Sequence, residues 1–241
     1  MGSRSFSAGY SGANPACKGA IVRTVIFDLD GTLADTSADL IAAANACFRG
    51  MGAGDLLDPA GDAITAFQGG RAMLRLGLER LGQPDEALVN EQYPVLLEAY
   101  EAAIDRETRL YPGAIAAVEA LRAAGYATGV CTNKPERLAH VLLTRLGVRG
   151  LFASLVGADT LPVRKPDPAP YRLSVERAGG KVAQSVLIGD TETDFHTARA
   201  AGVPVVLVTF GPEGPGIARL APDALLGGFG DLPALANRLL A

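Results

Sequence analysis

Two hydrophobic patterns alternate along this chain. One consists of short continuous apolar runs, the other of longer stretches with apolar residues three and four positions apart. The first pattern predicts buried strands and the second amphipathic helices. Ala20–Leu29 is the first strand, apolar on both faces and therefore central in a sheet. Leu40, Ile41, Ala44 and Phe48 then set a helical stripe from Ser37, with Asp35, Thr36 and Ser37 as capping candidates and glycines over 50–54 as its end. Helical spacing resumes over Ile64–Leu81, in one or two helices around Gly69-Gly70-Arg71. It returns over Ala87–Ile104, where Pro94 predicts a kink or a break. After Tyr111-Pro112-Gly113 the elements alternate. A helix carrying Ala114, Ile115, Val118 and Leu121 leads to a strand over Tyr126–Cys131, a helix over Glu136–Leu146 and a strand over Phe152–Gly157. Ser185–Ile188 is a further strand, followed by a helix with Ala198 and Ala201, a strand over Pro204–Val208, an edge strand over Asp223–Leu226 and a closing helix over Leu232–Leu240. Strands alternating with helices predict an α/β fold.

Residues 36–105 interrupt this alternation with helices alone. So long an insertion between a strand and the next strand–helix unit predicts a second domain with its own small core, hinged near Ala34–Thr36 and Asp105–Leu110. The expected division is an α/β core of residues 20–35 and 106–241, a helical domain of 36–105, and a disordered tail of 1–19. That tail is rich in Ser, Gly and Ala and lacks the apolar centre of a signal peptide.

Composition narrows the functional classes. With 241 residues, 49% of them hydrophobic, the chain can bury a sizeable core. A net charge of -4 without a basic run argues against nucleic acid as the partner. No apolar run reaches the roughly 18 residues of a membrane span. Cys17, Cys47 and Cys131 are widely spaced, show no metal-ligand pattern, and read as reduced thiols of a cytoplasmic protein. Nothing in the pattern fixes an oligomeric state.

The polar clusters that carry chemistry stand at strand ends, where α/β sheets bind ligands. Asp28-Leu29-Asp30-Gly31-Thr32 ends the first strand. Its two carboxylates suit a cation, a turn and cap, or a division of labour between nucleophile and acid. Thr132-Asn133 joins a strand to a helix, a place where a hydroxyl and free N–H groups meet an anion. Lys165 lies among prolines in Leu161–Pro170, a stiff loop that would hold its cation in place, with Arg164 as a competing cation. Gly189-Asp190-Thr191-Glu192-Thr193-Asp194 follows another strand and offers hard oxygen ligands. Arg71 could clamp a carboxylate or phosphate, or merely start a helix at the surface. Asp55, Asp58 and Asp62 read as a solvated acidic scatter, Glu192 as solvated, and His140 and His196 as structural or surface residues, there being no triad pattern around them.

Taken in order, Asp28-Leu29-Asp30-Gly31-Thr32, Thr132, Lys165-Pro166-Asp167-Pro168 and Gly189-Asp190 to Asp194 resemble the four motifs of the haloacid dehalogenase superfamily in its phosphatase form. The resemblance implies a doubly wound, mostly parallel sheet with a helical cap inserted after the first strand. It also implies a Mg²⁺ cofactor and a small phosphorylated metabolite as substrate. By that resemblance Asp28 attacks phosphorus to form an aspartyl-phosphate, and Asp30 is the acid and then the base. Thr132 binds the phosphoryl group, Asn133 is a neighbouring donor, and Lys165 is the fixed cation. Asp28, the Asp30 carbonyl and Asp190 hold the metal, with Asp194 acting directly, through water, or by orienting Lys165. Asp30 separates the chain from the dehalogenases and ion-pumping ATPases of the superfamily, and the absence of Lys from residues 36–105 disfavours phosphonate hydrolysis. Lys165-Pro166-Asp167-Pro168-Ala169-Pro170, Ala201-Gly202-Val203-Pro204 and the length of the insertion look most like the phosphoglycolate phosphatases. Gln68-Gly69-Gly70-Arg71 is loosely similar to their cap loop. The alternatives are a phosphatase for a sugar phosphate or nucleotide, and a mutase similar to β-phosphoglucomutase.

Overall fold

The first strand, β1 (Thr24–Phe27), is buried along its whole length, Thr24 included, and is zipped on both edges. It is shorter than its apolar run. The last sheet bond comes from the Asp28 N–H to the Ile188 carbonyl (2.8 Å), after which the chain turns at Gly31. The computed structural model describes residues 22–241, so the tail expected over 1–19 and the strand start at Ala20 lie outside the described residues. From β1 the chain passes through β2 (Ala34–Asp35), α1 (Ser37–Gly50), α2 (Ala63–Phe67), α3 (Gly70–Arg80) and α4 (Glu86–Ala102), then returns through β3 (Arg109–Leu110). β2 and β3 pair antiparallel, Ala34 opposite Leu110 and Asp35 opposite Arg109, so the exit and return of the helical insert share one short ribbon. The chain continues with α5 (Ala114–Ala123), β4 (Ala127–Cys131), α6 (Glu136–Arg145), β5 (Ser154–Val156), α7 (Pro168–Arg177), β6 (Ser185–Gly189), α8 (Glu192–Ala201), β7 (Val205–Val208), β8 (Ala224–Leu226) and α9 (Leu232–Leu239).

The six longer-range strands form one parallel sheet in the order β5-β4-β1-β6-β7-β8, with β8 at an edge as expected. Period-two alternation sends Val25, Phe27, Val186 and Ile188 to one face, while Ile26, Leu187 and Leu207 meet Tyr171, Val175 and Ala198 on the other. Helices on both faces make the sheet doubly wound. Each such side chain contributes about 1.5–3 kcal/mol on burial, which fixes the strand register and so the positions of the loops at the strand ends. No helix among the described residues is long and apolar enough to cross a membrane.

The insert packs Leu40, Ile41, Phe48, Met73, Leu74 and Leu78 together, and this cluster runs on into one face of the sheet instead of standing apart. The α1–α3 approach is close at Gly77, where a Cβ would lie 2.1 Å from the Phe48 ring. Buried Asp39 ties the insert's two ends, accepting from the backbone N–H groups of Glu107 and Thr108 and from the Thr108 hydroxyl (2.8–3.1 Å).

Three local readings change. α4 runs unbroken through Pro94, since Asn90, whose carbonyl loses its usual donor, is exposed to water. Pro168 and Pro170 belong to the first turn of α7 and not to a loop, because the N–H groups they lack have no helical partner there, and Asp167 caps the turn by accepting from the Ala169 N–H (2.8 Å). Asp62 is buried and not solvated, held by both Nη atoms of Arg80 at 2.6 and 2.7 Å.

Candidate active site

Adjacent strands β4, β1 and β6 end side by side, which brings Thr132, Asp28 and Asp190 together, and the loop before α7 adds Lys165. They stand at the carboxyl edge of the sheet, beneath the insert. A cavity of about 430 Å³ separates the two, lined from below by Asp28, Asp30, Thr132, Lys134 and Lys165 and from above by residues of α3 and α4. That volume suits a small metabolite.

Lys165 is buried, its Nζ 2.6 Å from Asp194 Oδ1 and 3.1 Å from Asp28 Oδ2. Burial opposes its charge, but Asp194 and Asp28 carry its pKa above the ordinary lysine value. The Asp28 carboxyl is pushed up to about 7, first by burial; Lys165 opposes the rise, and Asp194 and Asp30 add to it. Asp190 is driven well above the carboxylate range by burial and by Asp194 and Asp28. Its Oδ1 accepts from the Thr32 hydroxyl at 2.7 Å, whereas its Oδ2 is buried with no hydrogen-bond partner among the described residues. Gly31, at φ +79°, leaves the room for that oxygen, since a Cβ there would lie 2.2 Å from it. Asp28, Asp190 and Asp194 each offer a carboxylate oxygen, all within 4.8 Å of one another. A crowded, buried set of oxygens with one orphaned acceptor fits a hard divalent cation, which would relieve both the repulsion and the missing partner. Asp194 is the most engaged of the three. Its Oδ1 receives Lys165, and its Oδ2 accepts from the Asp190 and Thr191 N–H groups (3.3 and 3.2 Å) and from the Thr191 hydroxyl (2.8 Å).

Thr132 is buried four residues ahead of α6, so it does not cap that helix; its Oγ1 accepts the Lys134 N–H at 3.1 Å. Asn133 is exposed and donates to the Lys165 carbonyl at 3.0 Å, tying two site loops together. Arg71 lines the upper wall, donating to Asn90 Oδ1 at 2.6 Å with its guanidinium 4.4 Å from the Tyr93 ring centroid. Glu192 and His196 pair with each other at the surface, at 3.2 Å.

Asp30 has partners that spacing alone does not reveal. Its Oδ1 accepts from the Thr36 hydroxyl at 2.6 Å and lies 2.8 Å from Lys134 Nζ. Thr36 thus serves the site and makes no side-chain cap for α1. Lys134 is buried, and its Nζ also lies 4.4 Å from the centroid of the Tyr100 ring on α4. The one sequence signal for Lys134 is its place directly after Thr132-Asn133 at a strand end.

The family model of the haloacid dehalogenase-like hydrolases matches residues 25–208. The chain is 39% identical over 220 residues to the phosphoglycolate phosphatase of Agrobacterium fabrum, covering 90% of this chain and 93% of that one. It is 38% identical over 218 residues to the phosphoglycolate phosphatase of Rhodospirillum rubrum, covering 87% and 89%. Among solved structures it is similar to one described as a predicted phosphoglycolate phosphatase from Haemophilus somnus, with a TM-score of 0.76 and 26% identity over 89% of this chain and 97% of the other. The chain belongs to the haloacid dehalogenase-like hydrolase family.

Proposed function

We propose that the protein is a Mg²⁺-dependent phosphatase that hydrolyses a small phosphate monoester, 2-phosphoglycolate first among them, through an aspartyl-phosphate on Asp28. The observation that carries this reading is the convergence of Asp28, Lys165 and the Asp30 carboxylate at one end of the cavity, with Asp190 within 4.8 Å of Asp28. The substrate follows from relatives that cover nine-tenths of the chain and bear that name.

Phosphate monoesters hydrolyse extremely slowly in water, because an anionic nucleophile must approach a dianion. In this reading Asp28 attacks phosphorus and displaces the ester oxygen. Lys165, pinned between Asp28 and Asp194, offsets the charge of nucleophile and phosphoryl group without having to reorganise. Asp194 acts chiefly by holding Lys165. Asp28, Asp190 and the Asp30 carbonyl would hold Mg²⁺, which supplies further neutralisation of the transferring group when bound. Thr132 donates its hydroxyl hydrogen to a phosphoryl oxygen, its own oxygen being occupied as an acceptor; Asn133 adds a donor at the rim. Asp30 protonates the leaving alcohol and then takes a proton from the water that opens the aspartyl-phosphate. The insert, residues 36–105, acts as a cap domain over the core of 20–35 and 106–241, and Arg71 contributes an outer contact.

Purified protein with Mg²⁺ is expected to release phosphate from 2-phosphoglycolate, ranking it first by kcat/KM in a panel of phosphorylated metabolites. Asp28→Asn is expected to abolish release while melting as a folded protein. Release that persists in Asp28→Asn, or 2-phosphoglycolate ranking low, contradicts the reading.

A further inference from the structure

The cationic side chains around the cavity differ in what already holds them. Arg71 is held by Asn90 and Tyr93, Arg75 by Glu86, and Lys165 by Asp28 and Asp194, while Arg164 also lines the cavity but is exposed to water. Lys134 faces the cavity from the core with its side chain 4% exposed, Asp30 on one side and the α4 aromatic ring on the other. An ammonium carries three donors and no acceptor. Asp30 takes one and the ring face attracts a second, which leaves one for a ligand. Beside it, the Tyr100 hydroxyl is buried with no acceptor for its hydrogen among the described residues, Lys134 being a donor only, although the residue lines the cavity and is only 1% exposed. A buried hydroxyl hydrogen without an acceptor is costly, a penalty that a ligand oxygen would remove.

We propose that Lys134 and the Tyr100 hydroxyl form a subsite for a carboxylate on the leaving-group side of the substrate, selecting monoesters that carry an acid next to the ester oxygen. This rests on the phosphatase reading and assigns acid recognition to a core–insert pair instead of Arg71. Asp30 stands beside the leaving oxygen in that reading, so a substrate carboxylate on the adjoining carbon would be a second negative charge in a poorly hydrated place. Lys134, in contact with Asp30, offsets both. Two donors from different walls converge there, an ammonium from the β4–α6 loop and a phenol from α4. A ligand carboxylate that takes both would also hold the insert against the core.

The test compares kcat/KM for 2-phosphoglycolate with that for 2-hydroxyethyl phosphate, in which a neutral hydroxymethyl group replaces the carboxylate. Wild-type protein is expected to prefer the acid. Lys134→Met is expected to lower the ratio of the two by about 10- to 100-fold, the factor for one charge-assisted hydrogen bond. Tyr100→Phe removes only a hydroxyl whose hydrogen has no acceptor, so it keeps the fold, and should lower the ratio by about tenfold. If Lys134→Met does not fold, the Tyr100→Phe ratio decides. The proposal is overturned if either folded variant depresses both esters alike or leaves the ratio where it was. Wild-type protein that hydrolyses both esters equally overturns the subsite alone, whereas one that hydrolyses neither overturns the phosphatase reading with it.

Discussion

On the core wall of the cavity, charged groups are buried and find partners far away in the chain: Lys165 with Asp28 and Asp194, Lys134 with Asp30, Thr32 with Asp190. On the insert wall, Arg71 and Arg75 find theirs nearby, in Asn90, Tyr93 and Glu86, mostly at the surface. Removing one member of a buried pair leaves an uncompensated charge and costs about 3–5 kcal/mol, while an exposed pair is worth about 0–1 kcal/mol. The core wall is therefore over-determined and suited to one fixed chemistry. The insert wall, buried Tyr100 apart, is open to change and suits contacts with the outer part of a substrate.

Substitutions that cross this boundary should separate the two walls. The largest effect is expected for Asp28→Asn, a fall in kcat of at least about 10⁴-fold by phosphate-release assay, as for loss of a covalent nucleophile. Lys165→Met should both inactivate and destabilise, by about 3–5 kcal/mol in urea unfolding, because Asp28 and Asp194 then lose their shared cation. Asp190→Asn has the opposite sign in metal-free protein. Removing one of the crowded carboxylates should stabilise it by about 1 kcal/mol, or about 2–4 °C in Tm, while abolishing the rise in Tm expected when Mg²⁺ is added to the wild type. Arg71→Ala, the smallest, should lower kcat/KM by about tenfold or less with no measurable loss of stability. An Arg71→Ala loss as deep as that of Lys165→Met would erase the difference between the walls.

The elements that hold the core wall were legible because parallel strands are buried on both faces and read as plain apolar runs ending in polar residues. β1, β4 and β6 stand where their runs end, and Asp28, Thr132 and Asp190 follow from that. α7 was hidden because Pro168 and Pro170 look like loop residues, although proline is at home in a helix's first turn. Lys134 and Tyr100 were hidden for a different reason. Their pairing is made by the sheet order and by α4 folding back over it, and no local spacing encodes such a contact. The Thr36 hydroxyl, a natural helix cap by sequence, is drawn instead to Asp30 by the ribbon of β2 and β3. The chemistry of the core wall is thus written locally at each strand end, and the partners that set it are written in the topology.

The most direct measurement is a trap for the covalent state of Asp28. Protein turning over 2-phosphoglycolate with Mg²⁺ is quenched, reduced with borohydride and mapped by peptide mass spectrometry. Reduction of an aspartyl-phosphate yields homoserine, and it is expected at position 28 alone, only when substrate is present. Homoserine at another carboxylate, or none at 28 under full turnover, would contradict the central claim that Asp28 carries the phosphoryl group.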